Sequence, residues 1–147
     1  MTVEENINIA NIDNLCTYSF VSDLKAKANA EKYIKELRIK TPSMLQKVRN
    51  LSGGNQQKIV LAKWICNDVK VLIFDEPTRG IDVGAKFEVY ELMNKLSKSG
   101  VAIIMISSEL PEVLGMSDRI LVMSGGEIRG KLITKETTQE EILSYAI

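Results

Sequence analysis

The sequence predicts an α/β fold in which helices cover both faces of a mostly parallel sheet. Three apolar runs have the character of strands, at residues 69–74, 101–106 and 119–123. Amphipathic segments around residues 86–98 and 110–116 separate these runs. Because strands that are buried on both faces read as continuous apolar runs, their alternation with helices is typical of a parallel sheet.

The first third of the chain has a different texture and predicts a helical subregion. In the segment SDLKAKANAEKYIKELRIK, helical spacing places four apolar side chains on one face: Leu24, Ala28, Ile34 and Leu37. The dipeptide Thr-Pro at residues 41–42 ends this pattern. We therefore expect residues 1–50 to form a helical part and residues 51–147 a sheet-containing core, within one domain.

The last third of the chain predicts a hairpin followed by a helix. Two strand-like runs flank Gly125 and Gly126, and glycine pairs are favoured in the tight turns of two-residue hairpins. A final helix is expected to start near Thr138 and to include the segment QEEILSYA.

Composition excludes several classes of function. Lys plus Arg equals Asp plus Glu at 19 each, so no bulk charge favours nucleic acid as a partner. The chain has no histidine, which removes the commonest general base and the usual zinc sites.

No apolar run approaches the roughly 20 residues that span a bilayer, and the N-terminus lacks a secretory pattern, so we expect a cytoplasmic location. Cys16 and Cys66 lack a paired spacing and are expected to be free thiols.

Two adjacent carboxylates follow the first apolar run, in the segment VLIFDEPTRGID. Ligands of open parallel sheets bind beyond the carboxyl ends of the strands, and Pro77 ends this strand directly after Asp75 and Glu76. Asp75 is then placed to order a Mg²⁺ ion, and Glu76 to accept a proton from water. The simpler interpretation is that two acids merely cap the end of a strand.

The segment LSGGNQQK places two glycines at the predicted start of a helix. Free N–H groups at a helix N-terminus attract phosphate, and glycine lets a phosphate approach the backbone closely. Ser52 adds a hydroxyl next to Gly53 and Gly54. The alternative is a serine cap that follows an ordinary turn.

Taken together, the two motifs resemble the signature loop and the Walker B motif of ATP-binding cassettes in ABC transporters. The strings DEPTRGIDVGAK and IIMISSELPEVLGMSDRILVM resemble the second, C-terminal cassette of ATPases for ribose, galactose and xylose import. The resemblance extends from about residue 2 to about residue 142. It implies a partial P-loop NTPase fold, with Asp75 as the Mg²⁺-ordering acid, Glu76 as the catalytic carboxylate and Asp82 as the acid of the D-loop. The signature residues that would contact the nucleotide are Leu51, Ser52, Gly53, Gly54, Asn55 and Gln56.

The chain departs from the family pattern at three places. No GxxxxGK[ST] phosphate loop (Walker A) precedes residue 51. The spacing match at residues 125–131 is followed by Leu132 instead of Ser or Thr and lies within the predicted hairpin. The glutamine-bearing loop of the family is also absent, so the chain resembles the C-terminal part of a cassette. Ser108 stands where the family usually has a switch histidine, and its hydroxyl can bind a phosphate oxygen but cannot supply an imidazolium.

The resemblance implies a function in trans. A signature loop in this family closes over ATP that is held by the phosphate loop of another cassette, so we expect ATP and Mg²⁺ to bind only in the complete cassette dimer and the chain alone not to hydrolyse ATP. The implied partners are a second cassette, permease subunits and, indirectly, a sugar-binding protein at the inner face of the cell membrane. The alternative is a non-catalytic module that docks on a full cassette or a permease. An ABC ATPase of DNA repair or translation is disfavoured by the balanced charge and by TRGIDVGAK and SSELPEV.

A further expectation concerns association. The resemblance implies that the missing phosphate-loop strand would lie between the strands at residues 101–106 and 119–123. Without that strand, unpaired backbone and apolar faces are left open, and we expect self-association as a dimer, a strand exchange or a rearranged sheet.

Overall fold

The computed structural model describes residues 1–17, 20–67 and 69–147. The α-helices, in chain order, are α1 (Val3–Asn8), α2 (Ile12–Leu15), α3 (Asp23–Glu36), α4 (Gly53–Ile65), α5 (Val83–Lys98), α6 (Leu110–Met116) and α7 (Gln139–Ala146). The strands are β1 (Cys16–Thr17), β2 (Phe20–Val21), β3 (Val71–Asp75), β4 (Ala102–Ile106), β5 (Arg119–Ser124) and β6 (Glu127–Ile133). Short 3₁₀ turns cover Ile9–Asn11, Val48–Asn50 and Thr134–Glu136.

The chain divides into two compact units. The first unit comprises Met1–Leu72 and Thr78–Ile103, and the second comprises Ile73–Pro77 and Ile104–Ile147. Assignment of residues 1–50 to a separate helical subdomain remains a prediction.

Helices α1, α3 and α4 pack together in the first unit. Val3 and Ile7 on α1, Ala30 on α3 and Ala62 on α4 are all fully buried. A capping box at Thr2 starts α1: the Thr2 hydroxyl accepts the Glu5 N–H at 3.2 Å, and the Glu5 carboxylate accepts the Thr2 N–H at 2.7 Å. This reciprocal pairing satisfies two of the N–H groups that a helix start leaves unpaired.

The buried face of α3 differs from the predicted one. The structure buries Ala26, Ala30 and Tyr33, followed by Leu37, whereas Leu24 is 83% exposed. Of the predicted face, only Leu37 lies in the core. Alanine side chains are small, so they let neighbouring helices approach closely. This close packing explains why the face with Ala26 and Ala30 is buried instead of the more apolar face.

Strands β3 and β4 form the parallel pair of the predicted α/β fold. The Ala102 N–H donates to the Lys70 carbonyl at 2.9 Å, and the Glu76 N–H donates to the Ile106 carbonyl at 2.9 Å. Because residue numbers rise together along both strands, the pairing is parallel. Among the described residues this sheet has two strands, since β5 pairs with β6 instead of β4.

The second unit contains the predicted hairpin and terminal helix. Strands β5 and β6 pair antiparallel, with a one-residue shift of register between Val122 and Met123. Gly125 and Gly126 have φ values of 61° and 83°, which is the left-handed geometry of a type I′ turn. Ile120 and Val122 on β5 are buried against Ile142 of α7. Thr138 caps α7 by accepting the Glu141 N–H at 3.3 Å, as its sequence position predicted.

Within the described residues, none of the helices combines the length and the apolar character that crossing a bilayer requires.

Candidate functional site

The predicted signature loop, residues 51–56, lies at the N-terminus of α4 and is held by its own side chains. Ser52 is the N-cap residue with extended backbone, and Gly53 and Gly54 are the first helical residues. The Ser52 hydroxyl accepts a hydrogen bond from the Asn55 side-chain NH₂ group at 2.8 Å, while the Asn55 side-chain oxygen Oδ1 accepts the Lys40 backbone N–H at 2.7 Å. Ser52 and Gly53 remain exposed. The loop therefore presents a hydroxyl and helix-start N–H groups to solvent in a fixed arrangement.

Gln56 serves the loop structurally in this arrangement. Its side-chain amide donates to the Leu51 carbonyl at 2.7 Å, and its backbone N–H donates to the Ser52 carbonyl at 2.9 Å. Leu51 is itself anchored, because its N–H donates to the Val48 carbonyl at 3.0 Å. The predicted contacts of Leu51 and Gln56 with nucleotide would therefore be made by residues that already stabilise the loop.

Close packing explains the second glycine. A Cβ at Gly54 would lie 2.7 Å from the Cβ of Ala85, far inside normal contact, whereas a Cβ at Gly53 would meet nothing nearer than 3.7 Å. Asp82 caps α5, because its carboxylate accepts the Ala85 N–H at 3.0 Å. The signature loop and the predicted D-loop acid are therefore brought together in the first unit, where the N-termini of α4 and α5 meet.

Glu76 occupies a strained position at the end of β3. Its φ of 47° lies in the left-handed region, which non-glycine residues adopt at a cost of about 1–2 kcal/mol. Two hydrogen bonds hold it there: its N–H donates to the Ile106 carbonyl at 2.9 Å, and its carboxylate accepts the Ser108 N–H at 3.0 Å. Strain that the surroundings fix in this way is common at catalytic and ligand-binding positions.

The turn after β4 supplies the partner of Glu76. The sequence assigned a role to the Ser108 hydroxyl, but the described contact with Glu76 uses the Ser108 backbone N–H. The neighbouring Ser107 hydroxyl donates a hydrogen bond to the Glu112 carboxylate and accepts the Glu109 N–H at 3.1 Å. Glu112 is only 5% exposed. Sequence reasoning missed both Ser107 and Glu112, although an acid in the first turn of α6 is a recognisable signal of an ordered helix start.

Asp75 is the last residue of β3 and is exposed. Among the described residues, no three His, Cys, Asp or Glu side chains come close enough to hold a metal ion together. Mg²⁺ in nucleotide sites is commonly bound through one or two carboxylates, with phosphates and water completing its shell. An exposed carboxylate at a strand end fits that mode of binding, in which the protein supplies few ligands.

The comparisons with known proteins identify the class. The family model described as "ABC transporter" matches residues 1–79, which is more than half of the chain. The chain therefore belongs to the ABC transporter family, and its recognition as an ATP-binding cassette of the P-loop NTPase fold is confirmed.

Two individual relatives are sugar import ATP-binding proteins. The chain is 61% identical over 146 residues to a xylose import ATP-binding protein of Thermoanaerobacter pseudethanolicus, covering 99% of this chain and 29% of the relative. It is 55% identical over 145 residues to a ribose import ATP-binding protein of Oceanobacillus iheyensis, with the same two coverages. The chain thus spans less than a third of the length of these relatives.

Solved structures agree on the fold. An ATP-binding cassette of an ABC transporter superposes with a TM-score of 0.79 at 20% identity, covering 99% of this chain and 62% of that one. A dimeric cassette in a post-hydrolysis state bound to ADP and Pi superposes with a TM-score of 0.77 at 21% identity, covering 91% and 57%.

Proposed function

We propose that this chain forms part of the ATP-binding subunit of a bacterial monosaccharide importer and contributes its signature loop and Walker B carboxylates to ATP hydrolysis. Residues 51–147 would belong to the catalytic core, and residues 1–50 to the helical subdomain that faces the permease. The names of the relatives supply the transport function, because they are xylose and ribose import proteins.

The arrangement of Glu76 is the observation that carries the catalytic part of the proposal. A general base must be held in a fixed direction, within hydrogen-bond reach of the water it activates. The Ser108 N–H holds one carboxylate oxygen of Glu76 at 3.0 Å, and the left-handed backbone conformation sets the direction in which the Glu76 side chain leaves the chain. One carboxylate oxygen of Glu76 therefore keeps the side chain oriented, and the other oxygen can receive a proton from the attacking water.

The signature loop would complete a site that belongs to another cassette. Ser52 and Gly53 are exposed, and the loop is preorganised by Asn55. A γ-phosphate held by a partner cassette could accept hydrogen bonds from the Ser52 hydroxyl and from the N–H groups of Gly53 and Gly54. These few groups form only half of a site, so the affinity of this chain alone for ATP should be low.

Asp75 is the residue that would hold Mg²⁺, which supplies charge neutralisation at the phosphates during transfer. Within this chain, Asp75 would bind and orient the ion, and the adjacent Glu76 would handle the proton. Asp82 would act near the second cassette through the loop whose helix it caps.

Reconstitution tests this proposal. The segment of the Thermoanaerobacter xylose import protein that precedes the matched region is co-expressed with this chain, and Mg²⁺-dependent ATP hydrolysis is measured on the purified complex. We expect hydrolysis from the complex, none from this chain alone, and loss of at least about 100-fold with Glu76→Gln. Glu127→Gln serves as the matched control, because it makes the same chemical change at an exposed carboxylate of β6 that lies outside the predicted site. Hydrolysis that survives Glu76→Gln would refute the catalytic assignment.

A docking role without catalysis is the second candidate, and exposed apolar side chains favour it. Ile73, Ile104 and Ile106 are 66%, 51% and 50% exposed in the second unit. Solvent-facing side chains of this size and number suit contact with another polypeptide. Such a module would copurify with the upstream segment or with permease subunits and yield no hydrolysis, which separates it from the first proposal.

A further inference from the structure

The first turn of α6 contains a buried acid, Glu112, that the proposed mechanism does not use. Glu112 is 5% exposed, and charged side chains are rarely buried so deeply unless they are paired. Its carboxylate accepts the hydroxyl hydrogen of Ser107. A hydrogen bond to a carboxylate is stronger than one between neutral groups.

Ser107 is tied on both sides of its hydroxyl. While the hydroxyl donates to Glu112, it accepts the Glu109 N–H at 3.1 Å. The chain between Ser107 and Glu109 therefore has little freedom to rotate. The residue enclosed by these two hydrogen bonds is Ser108, whose backbone N–H holds Glu76 at 3.0 Å.

We propose that Glu112, acting through Ser107, is a positioning residue for the catalytic carboxylate. The chain of contacts runs from the Glu112 carboxylate to the Ser107 hydroxyl, through the fixed turn to the Ser108 N–H, and on to the Glu76 carboxylate. The four residues that make these contacts all lie in the second unit. The inference extends the proposed function, because it uses the catalytic role of Glu76.

The proposal separates the two serines by function. Ser108 acts through its backbone, so its side chain can be removed without loss of the contact. Ser107 acts through its hydroxyl, so threonine should replace it and alanine should not. A purely structural role of the turn would predict no such distinction at the Ser108 amide.

The test is amide exchange and the amide proton shift of Ser108, measured by NMR on the ¹⁵N-labelled chain. Wild type should show a protected Ser108 amide with a downfield shift, and Glu76→Gln should move that shift upfield, because an amide oxygen is a weaker acceptor than a carboxylate. Ser107→Ala and Glu112→Gln should speed exchange of the Ser108 amide about fivefold to tenfold, the range expected for loss of one hydrogen bond in a part-exposed turn. Ser107→Thr and Ser108→Ala should stay within about twofold of wild type.

The amides of Leu121 and Ile142 report on the fold of the second unit in the same spectra. If Glu112→Gln disturbs them, Ser107→Ala alone decides the question, since it deletes one hydroxyl from a partly exposed residue. Wild-type exchange and shift at Ser108 in Ser107→Ala would overturn the proposal. In the reconstituted ATPase, the same variant should lower kcat and leave KM unchanged. Because the NMR measurement needs no hydrolysis, failure of the proposed function and failure of this inference remain distinguishable.

Discussion

Replacement of Gly54 by alanine tests whether packing, and not phosphate access alone, requires a glycine in the signature loop. The new Cβ would lie 2.7 Å from the Cβ of Ala85. Carbon atoms in contact are normally about 3.5–4.0 Å apart, so α4 and α5 must separate by about 1 Å. Overpacking of this kind costs about 1–3 kcal/mol, and the better helix propensity of alanine returns at most about 1 kcal/mol.

Gly53→Ala is the matched control for this experiment. It makes the same chemical change one residue earlier, where the nearest atoms stand at 3.7 and 3.9 Å, an ordinary contact distance. We expect it to be neutral or stabilising by up to about 1 kcal/mol, and Gly54→Ala to be less stable than it by about 2 kcal/mol.

Urea unfolding followed by far-UV circular dichroism and by the fluorescence of Trp64, which lies on α4, measures both variants. The double variant Gly54→Ala/Ala85→Gly should recover about 1–2 kcal/mol relative to additive behaviour, because the clash needs both methyl groups. Equal stability of the two single variants, or additivity in the double variant, would refute the packing argument.

Three further outcomes are expected. Gly130→Ala should destabilise by about 1–3 kcal/mol in thermal unfolding, because a Cβ there would lie 2.9 Å from the Tyr145 ring, and Tyr145→Ala should relieve that cost. Glu88→Gln should lower the free energy of unfolding in urea by about 1–2 kcal/mol, because the Lys58 ammonium, 2.6 Å from the Glu88 carboxylate on a side chain that is 8% exposed, loses that carboxylate. An unchanged midpoint of urea unfolding would contradict this. Burial raises the pKa of the Cys66 thiol, so stability should fall as pH rises above the ordinary thiol value of about 8.5, and Cys66→Ala should show a smaller fall.

Local chemistry made the C-terminal region predictable. The Gly125–Gly126 turn, the strands beside it and the Thr138 cap each depend on a few adjacent residues, and all three appear where the sequence placed them. Helix α6 likewise begins and ends at the predicted residues, 110 and 116.

Predictions that depended on tertiary packing were less successful. Helical periodicity located α3 but chose the wrong face, because Ala26 and Ala30 permit a close approach that Leu24 would prevent. The role that the sequence assigned to the Ser108 hydroxyl stays a prediction, whereas the contact of Ser108 with Glu76 is a separate one, made by the backbone N–H. Backbone groups carry no residue identity, so a contact made by the Ser108 N–H leaves no trace in the sequence.

The hairpin and α7 have a consequence for the order of folding. Strand β5 contacts β6, and α7 contacts both, within a stretch of about 30 residues, so the contacts of this segment have low sequence separation. Hairpins close in about 1–10 μs, much faster than pairings that must first close a long loop. Strands β3 and β4, by contrast, are joined by residues 76–101 and must wait for that loop to close. The segment that bears none of the predicted nucleotide contacts is thus expected to become ordered first, before the strand that carries Glu76 finds its neighbour.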